Sequence, residues 1–287
     1  MGASDLPLKE ISRDDCFDFS FPYCPQRQAS IENKFFGLPL LIIDKKKRLV
    51  WGHGYLRLLR ARGWKCAPVL EADITPAAAL FLNFNLSNRL FGLNLYEKLL
   101  FIKKISVLCQ PAEIQRRADL DFKLDDVLLQ RLDALLNVSW RQALASGHLG
   151  LKSALQLIAF TVSDQRALRR LFMKVRFSES YQSQIIRLLE EIAFREKKSL
   201  ARILQSLHLA VLLKAEMPQR KIMEALNRRR FPAYARRERE WRRWQKKRVV
   251  PGRVALAHAP FFDNEEIQIV LTAKTSLQAD ALLQKLK

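Results

Sequence analysis

Hydrophobic residues follow two different periods along this chain. Before residue 92 they come in short runs bounded by turn residues. Residues 6–11, 38–43, 49–51 and 66–70 read as strands, with the run Leu40, Leu41, Ile42 and Ile43 the most apolar. Asp44 and the three lysines after it read as a turn. Between the strands the spacing predicts a helix over 28–36 closed by Gly37, and a second opened by Gly52 and stopped at Gly63. Thr75 followed by Pro76 opens a third, a capping hydroxyl before the first helical position.

From Asn94 the period becomes helical. Asn94 and Glu97 have capping-box spacing. Apolar faces then recur through Leu99, Ile102 and Ile105, and through Leu124, Leu128, Leu132 and Leu135. Further faces lie in 151–160, 168–175, 185–194 and 200–207, giving about six helices between Asn94 and Leu213. This spacing is core packing rather than chemistry. Residues 228–248 break the pattern, being strongly basic and ended by Pro251 and Gly252. Two strands follow, 254–257 and 267–271. The alternation of Ile267, Ile269 and Leu271 with Gln268 and Val270 predicts a half-buried strand. Thr275 and Gln278 again have capping-box spacing, for a last helix carrying Leu282, Leu283 and Leu286. The expected fold class is α+β.

Composition changes the picture in one respect. The chain has 287 residues, 49% of them hydrophobic, enough for two or three domains with their own cores. Its 50 Lys and Arg outweigh 29 Asp and Glu, a net charge of +21. Such an imbalance argues about partners, and phosphate polyanions come first. Cys16, Cys24, Cys66 and Cys109 are widely spaced and the four histidines have no metal-ligand spacing, so no metal site is read and the cysteines are expected reduced or buried. The first residues lack a signal-peptide pattern and no apolar run reaches the ~20 residues of a membrane span. The expectation is a cytoplasmic, nucleoid-associated protein with no membrane partner.

The order Ser30-Ile31, Gly37-Leu38-Pro39, Leu49-Val50-Trp51-Gly52-His53-Gly54, Gly63, Pro68-Val69, Asn85, Arg89 and Leu93-Asn94-x-x-Glu97 resembles the ParB N-terminal domain, a fold shared with sulfiredoxin. The resemblance covers roughly residues 6–108 and continues weakly beyond. It implies a ParB/sulfiredoxin-like α+β domain over 1–92 and a mostly helical, helix-turn-helix-like domain over 93–215. A basic helical segment over 216–250 and a small ββα module over 251–287 complete the division. Family members use the Gly-containing turn, usually Gly-Glu-Arg-Arg, to hold nucleotide phosphates. Here Gly54 and Tyr55 stand where the two arginines would be, with Arg57 a little further on. The implied phosphate or nucleotide site is Gly52, His53, Gly54, Arg57 and Arg89, for a nucleoside triphosphate with Mg. The physics fits, since a helix N-terminus offers free N–H groups and a positive dipole end. The alternative is that the glycines let helix and strand pack closely. His53 is open between a phosphate or base role and a structural one. It replaces the cysteine that sulfiredoxin chemistry needs. Glu97 is read as a cap.

Two stretches offer a helix-turn-helix. One is Glu113 to Ala118 followed by 124–135, whose second helix begins with Asp125-Asp126, a poor fit to phosphate. The other is Ala143 and Gly147 before a helix from Leu149. The basic segment is the stronger signal, with eleven Lys or Arg and two Glu in 21 residues. Its DNA-binding residues are read as Arg228, Arg229, Arg230, Arg236, Arg237, Arg242, Arg243, Lys246, Lys247 and Arg248. Phe231, Tyr234, Trp241 and Trp244 are interleaved, to stack on bases or to pack. The function expected is a ParB-like DNA-binding protein of partition, mobile-element maintenance or transcriptional control. A homodimer and a ParA-like ATPase are its implied partners, and no residue is assigned a catalytic role. The alternative is a nucleotide hydrolase or nuclease of the same superfamily. The absence of a carboxylate cluster counts against a metal-dependent nuclease.

Overall fold

Short apolar runs too brief for helices set the start of the chain. In the computed structural model they pair as β1 (Ser4–Pro7), β2 (Leu41–Asp44), β3 (Leu49–Trp51) and β4 (Cys66–Ala72). The structure describes residues 4–12, 15–21, 41–248, 254–259 and 266–284. The expected helix over 28–36, the motif residues 30–31 and 37–39, Cys24, Pro251, Gly252 and Leu286 lie outside them. The sheet order is β1-β4-β2-β3, with β2 and β4 parallel and the outer pairs antiparallel. The first strand lies earlier than the 6–11 expected, because Leu8 to Glu10 form a turn in which the Glu10 N–H donates to Pro7 O. The chain divides into two compact units, Met1–Ile186 and Arg187–Lys287.

In the first unit, α1 (His53–Ala61) packs Leu56 and Leu59 against Leu41, Ile43, Leu49 and Val69 of the sheet. Gly63, at φ 74°, ends it as its sequence foretells. Two helices, α2 (Pro76–Phe91) and α3 (Leu95–Ile105), follow with the expected caps. Thr75 Oγ1 accepts from Ala78 N, and Asn94 and Glu97 form a complete capping box. Phe101, fully buried on α3, stacks on Phe84 of α2 at 4.2 Å and meets the edges of Phe19 and Phe81. Side chains from both sides of residue 92 therefore share this core.

Residues 94–213 form nine helices, not about six. Beyond α3 come α4 (Pro111–Arg117), α5 (Asp126–Leu135), α6 (Val138–Ala145), α7 (Leu151–Leu157), α8 (Val162–Lys174), α9 (Glu179–Glu196), α10 (Leu200–Ser206) and α11 (Leu209–Leu212). Several are two turns or shorter, and an apolar period carried across a tight turn cannot show the break. Asp125 is the N-cap of α5, accepting from Leu128 N, which accounts for the acid at that helix start.

The second unit holds the end of α9, α10 and α11, then α12 (Pro218–Arg230) and α13 (Pro232–Lys246). The basic segment read as one stretch is thus two helices, broken where Pro232 withholds an N–H. A two-stranded ribbon, β5 (Val254–His258) and β6 (Ile267–Leu271), and α14 (Ser276–Gln284) close the chain. The half-buried expectation for β6 fails: Ile267, Ile269 and Val270 are all exposed. Among the described residues no helix is long and apolar enough to cross a membrane.

Phe101→Ala is expected to cost about 3–5 kcal/mol in denaturant unfolding, because three rings lose their common neighbour.

Candidate functional site

The turn from β3 into α1 is built by Gly52, whose φ of 101° only glycine adopts without strain. Among the described residues no side chain caps the helix that follows. His53, its first residue, is 8% exposed, and its Nε2 is buried with no hydrogen-bond partner among the described residues. Tyr55 is held by edge contacts to Trp51 and Phe91. A segment far away in sequence completes the site. Phe17, Phe19 and Phe21 are buried in alternation, which turns Asp18 and Ser20 toward α1. Asp18 accepts from Ser20 N at 2.8 Å, from Ser20 Oγ at 2.5 Å and from Arg57 at 3.0 Å. Arg57 also donates to Ser20 Oγ at 2.8 Å.

Two recesses meet at His53. One, about 40 Å³, is lined by Asp18, Ser20, Gly52, His53, Gly54 and Asn83 among others. Its volume suits little more than one water. The other, about 290 Å³, is bounded by Asp15, Asp18, His53, Arg57 and Arg60. Burial holds the His53 imidazole below the ordinary histidine value of 6.5, against the pull of the Asp18 carboxylate. Burial acts against charge on Asp18 too, but His53, the Ser20 hydrogen bonds and Arg57 outweigh it and keep its carboxyl below the usual range.

The structure therefore gathers Gly52, His53, Gly54 and Arg57, but not Arg89. Arg89 is exposed near the end of α2 and lines neither recess. Arg57 is not a free cation, since Asp18 already neutralises it. Asp18, Ser20 and Asn83 belong to the site although no motif singles them out. The alternation of phenylalanines with polar residues over 17–21 is the signal that could have found the first two. Glu97 is the cap its spacing predicts, and it reaches further as well, because its Oε1 accepts from Phe21 N at 2.7 Å.

The basic helices form the second candidate, and the structure sorts their cations. Arg229 is forked onto Glu196 at 2.6 and 2.8 Å and donates to Ser206 Oγ; it holds the Glu196 carboxyl down to about 2. Arg230 pairs with Glu191, Arg228 with Glu224, and Arg242 with Glu238. The Arg248 guanidinium lies over the Trp244 ring. Arg236, Arg237, Arg243, Lys246 and Lys247 remain exposed, with no carboxylate partner among the described residues. Arg236, Arg243 and Lys247 are spaced by seven and four residues, so they share one face of α13. Glu240 lies on that face too, exposed and engaged by no ion pair among the described residues. The opposite face meets β5: Gln245 donates to Leu256 O at 2.8 Å, and Glu238 and Trp241 contact His258. Trp241 stacks on Trp244 at 4.9 Å. These two rings pack on protein.

The described cysteines are free, Cys16 and Cys109 half-buried and Cys66 exposed. No protein-family model matches the chain, and no curated protein matches it. Among solved structures the chain is similar to one described as "Structure of the C2221 form of Pnob8-like ParB-N domain", with 17% identity over 77% of this chain and 92% of that chain and a TM-score of 0.39.

A titration of the His53 ring by NMR is expected to give a midpoint below 6.5. A midpoint above it would mean that Asp18 outweighs burial and that the ring is charged near neutral pH.

Proposed function

We propose that the protein binds DNA through its phosphate backbone, using the outer face of α13, in a ParB-like role. The observation that carries this is the set Arg236, Arg237, Arg243, Lys246 and Lys247, exposed and without carboxylate partners among the described residues, on a helix whose other face is committed to the ribbon. Unneutralised cations at helical spacing release counterions when they meet phosphate, and the resulting affinity carries no base preference. The finer reading, partition, mobile-element maintenance or transcriptional control, rests on the motif order from Gly52 to Glu97.

The test is a salt series on duplex DNA. Each phosphate contact contributes about 0.9 to the log–log slope, so replacing Arg236, Arg237, Arg243 and Lys247 by Gln should flatten it by about 3–4 units. Affinity should fall alike on unrelated sequences. Arg229→Gln should instead lower the melting temperature, because its guanidinium is taken up by Glu196 and Ser206. Alanine at Trp241 and Trp244 should also destabilise the fold, weakening single and double strands equally. An unchanged slope in the four-site variant, with the fold intact, would refute the assignment.

A second reading has its own observation, the His53 Nε2, without a hydrogen-bond partner among the described residues, beside a helix N-terminus that no described side chain caps. Nucleotide phosphates over Gly52 to Gly54 would take Arg57 as their cation, and Asp18 competes for it. Calorimetry with nucleoside triphosphates and Mg should then show tighter binding to Asp18→Asn than to wild type. Absence of heat with both proteins removes this reading and leaves the glycines a packing role.

A further inference from the structure

A groove of about 410 Å³ opens on the first unit between α5, α7 and the start of α9, and it shares no residue with the recesses at His53. Its floor is apolar. Leu151 and Leu155 stand one turn apart on α7, and Phe122 comes from the loop before α5. All three are half-buried, neither sealed in the core nor fully solvated. Arg131 of α5 and Lys152 of α7 border this floor. Both are exposed, and neither has a carboxylate partner among the described residues. Arg131 spends one donor on Leu155 O at 3.1 Å, and the rest of its guanidinium fork is left for another acceptor. Lys152 stands in the first turn of α7, where the helix dipole disfavours a cation, so its charge does nothing for that helix. The one acidic residue lining the groove, Glu179, is already committed. Its Oε1 accepts from Lys152 N at 2.9 Å, in a space that a side chain on Gly150 would occupy.

We propose that this groove docks an acidic amphipathic helix of a partner protein, with its apolar side chains on Phe122, Leu151 and Leu155 and its carboxylates on Arg131 and Lys152. Apolar residues spaced by three and four along such a helix match a floor whose own leucines are spaced by four. Acid on the flanks of that helix complements two unpaired cations and a spent carboxylate, on a chain that carries +21 overall. The same charge sets a second copy of this chain aside as the occupant, because like charges would meet. A phosphate backbone would reach the two cations but leave the apolar floor in contact with water, so the groove suits nucleic acid less. It is open rather than closed, which suits a segment of another protein better than a small molecule that must be largely buried. Affinity then comes from covering the floor, and the cations orient the encounter.

The inference does not rest on DNA binding by α13. It is tested by fluorescence anisotropy of the full chain with a labelled synthetic helix that carries leucine at i, i+3, i+4 and i+7 and glutamate between. This probe is expected to bind at least about tenfold more tightly than a scrambled peptide of the same composition. Leu155→Ser should weaken it about tenfold, and Lys152→Glu and Arg131→Glu several-fold each. The variant with Gln at Arg236, Arg237, Arg243 and Lys247 should bind the probe as wild type does, which separates the groove from α13. Lys152→Glu alters an exposed side chain and answers the question should Leu155→Ser fail to fold. Absence of binding overturns the proposal, as does equal binding of the patterned and scrambled peptides, which would leave charge alone. An affinity unmoved by Lys152→Glu or by a folded Leu155→Ser overturns it too. Displacement of the probe from the four-site variant by duplex DNA would make the groove a nucleic-acid surface and overturn it equally.

Discussion

The first unit depends on one buried carboxylate. Glu97 is fully inaccessible, and a charge in that position is tolerable only when its oxygens are saturated with donors. One oxygen accepts from Asn94 N and closes the cap of α3; the other accepts from Phe21 N, 76 residues earlier in the chain. Each of these hydrogen bonds is made by a fully buried carboxyl group, so together they tie the two ends to each other. With Phe21 placed, the alternation of an extended chain buries Phe19 and Phe17, whose carbonyl also accepts from Asn83. Asp18 and Ser20 are left facing the N-terminus of α1. The site around His53 thus depends on the cap of α3, three elements further along the chain.

This dependence also separates what the sequence shows from what it hides. Caps and glycines are local: Thr75, Asn94 with Glu97, and Gly52 with Gly63 act within a few residues and stand where the spacing puts them. The strand 267–271 is legible to the residue, because its alternation is local too. Its exposure is not legible, since that depends on whether α13 reaches past β5. The same holds for Asp18 and Arg57, which lie 39 residues apart and meet through the sheet and the Glu97 tie. Helix number is hidden for a different reason. A break of two or three residues between short helices preserves the apolar period, and the prediction rests on period alone.

Net charge is legible as a sum and misleading as a map. Arg229, Arg230 and Arg195 sit in the most basic region, and their guanidinium groups serve as struts. Arg229 grips Glu196, Arg230 grips Glu191, and Arg195 donates to the backbone oxygens of Arg229 and Arg230. Arginine suits this work because its planar fork satisfies two acceptors at once and stays charged when half-buried. The cations without a carboxylate partner among the described residues are a subset, since several are taken up by acids on their own helix or on α9. Pro232 ends α12 and opens α13, whose Trp241 and Gln245 side meets the ribbon.

Arg57 and Arg243 show the same rule from opposite sides. Both are exposed arginines on amphipathic helices, and composition cannot tell them apart. Arg57 has a carboxylate and a hydroxyl within 3.0 Å, so an incoming phosphate must displace an existing ion pair before it gains one. The pair is half-shielded, with Asp18 16% and Arg57 47% exposed, so a phosphate competes with more than a surface ion pair. Arg243 has no ion-pair partner among the described residues, so a phosphate need displace no existing pair to reach it. The difference arises from what lies behind each helix. Behind α1 is a segment whose register is fixed by buried phenylalanines, which cannot avoid presenting Asp18. Behind α13 is a ribbon whose contacts use Glu238, Trp241 and Gln245 on the far face. The near face keeps a single acid, Glu240, against Arg236, Arg243 and Lys247, too little to cancel the charge that a phosphate backbone would meet.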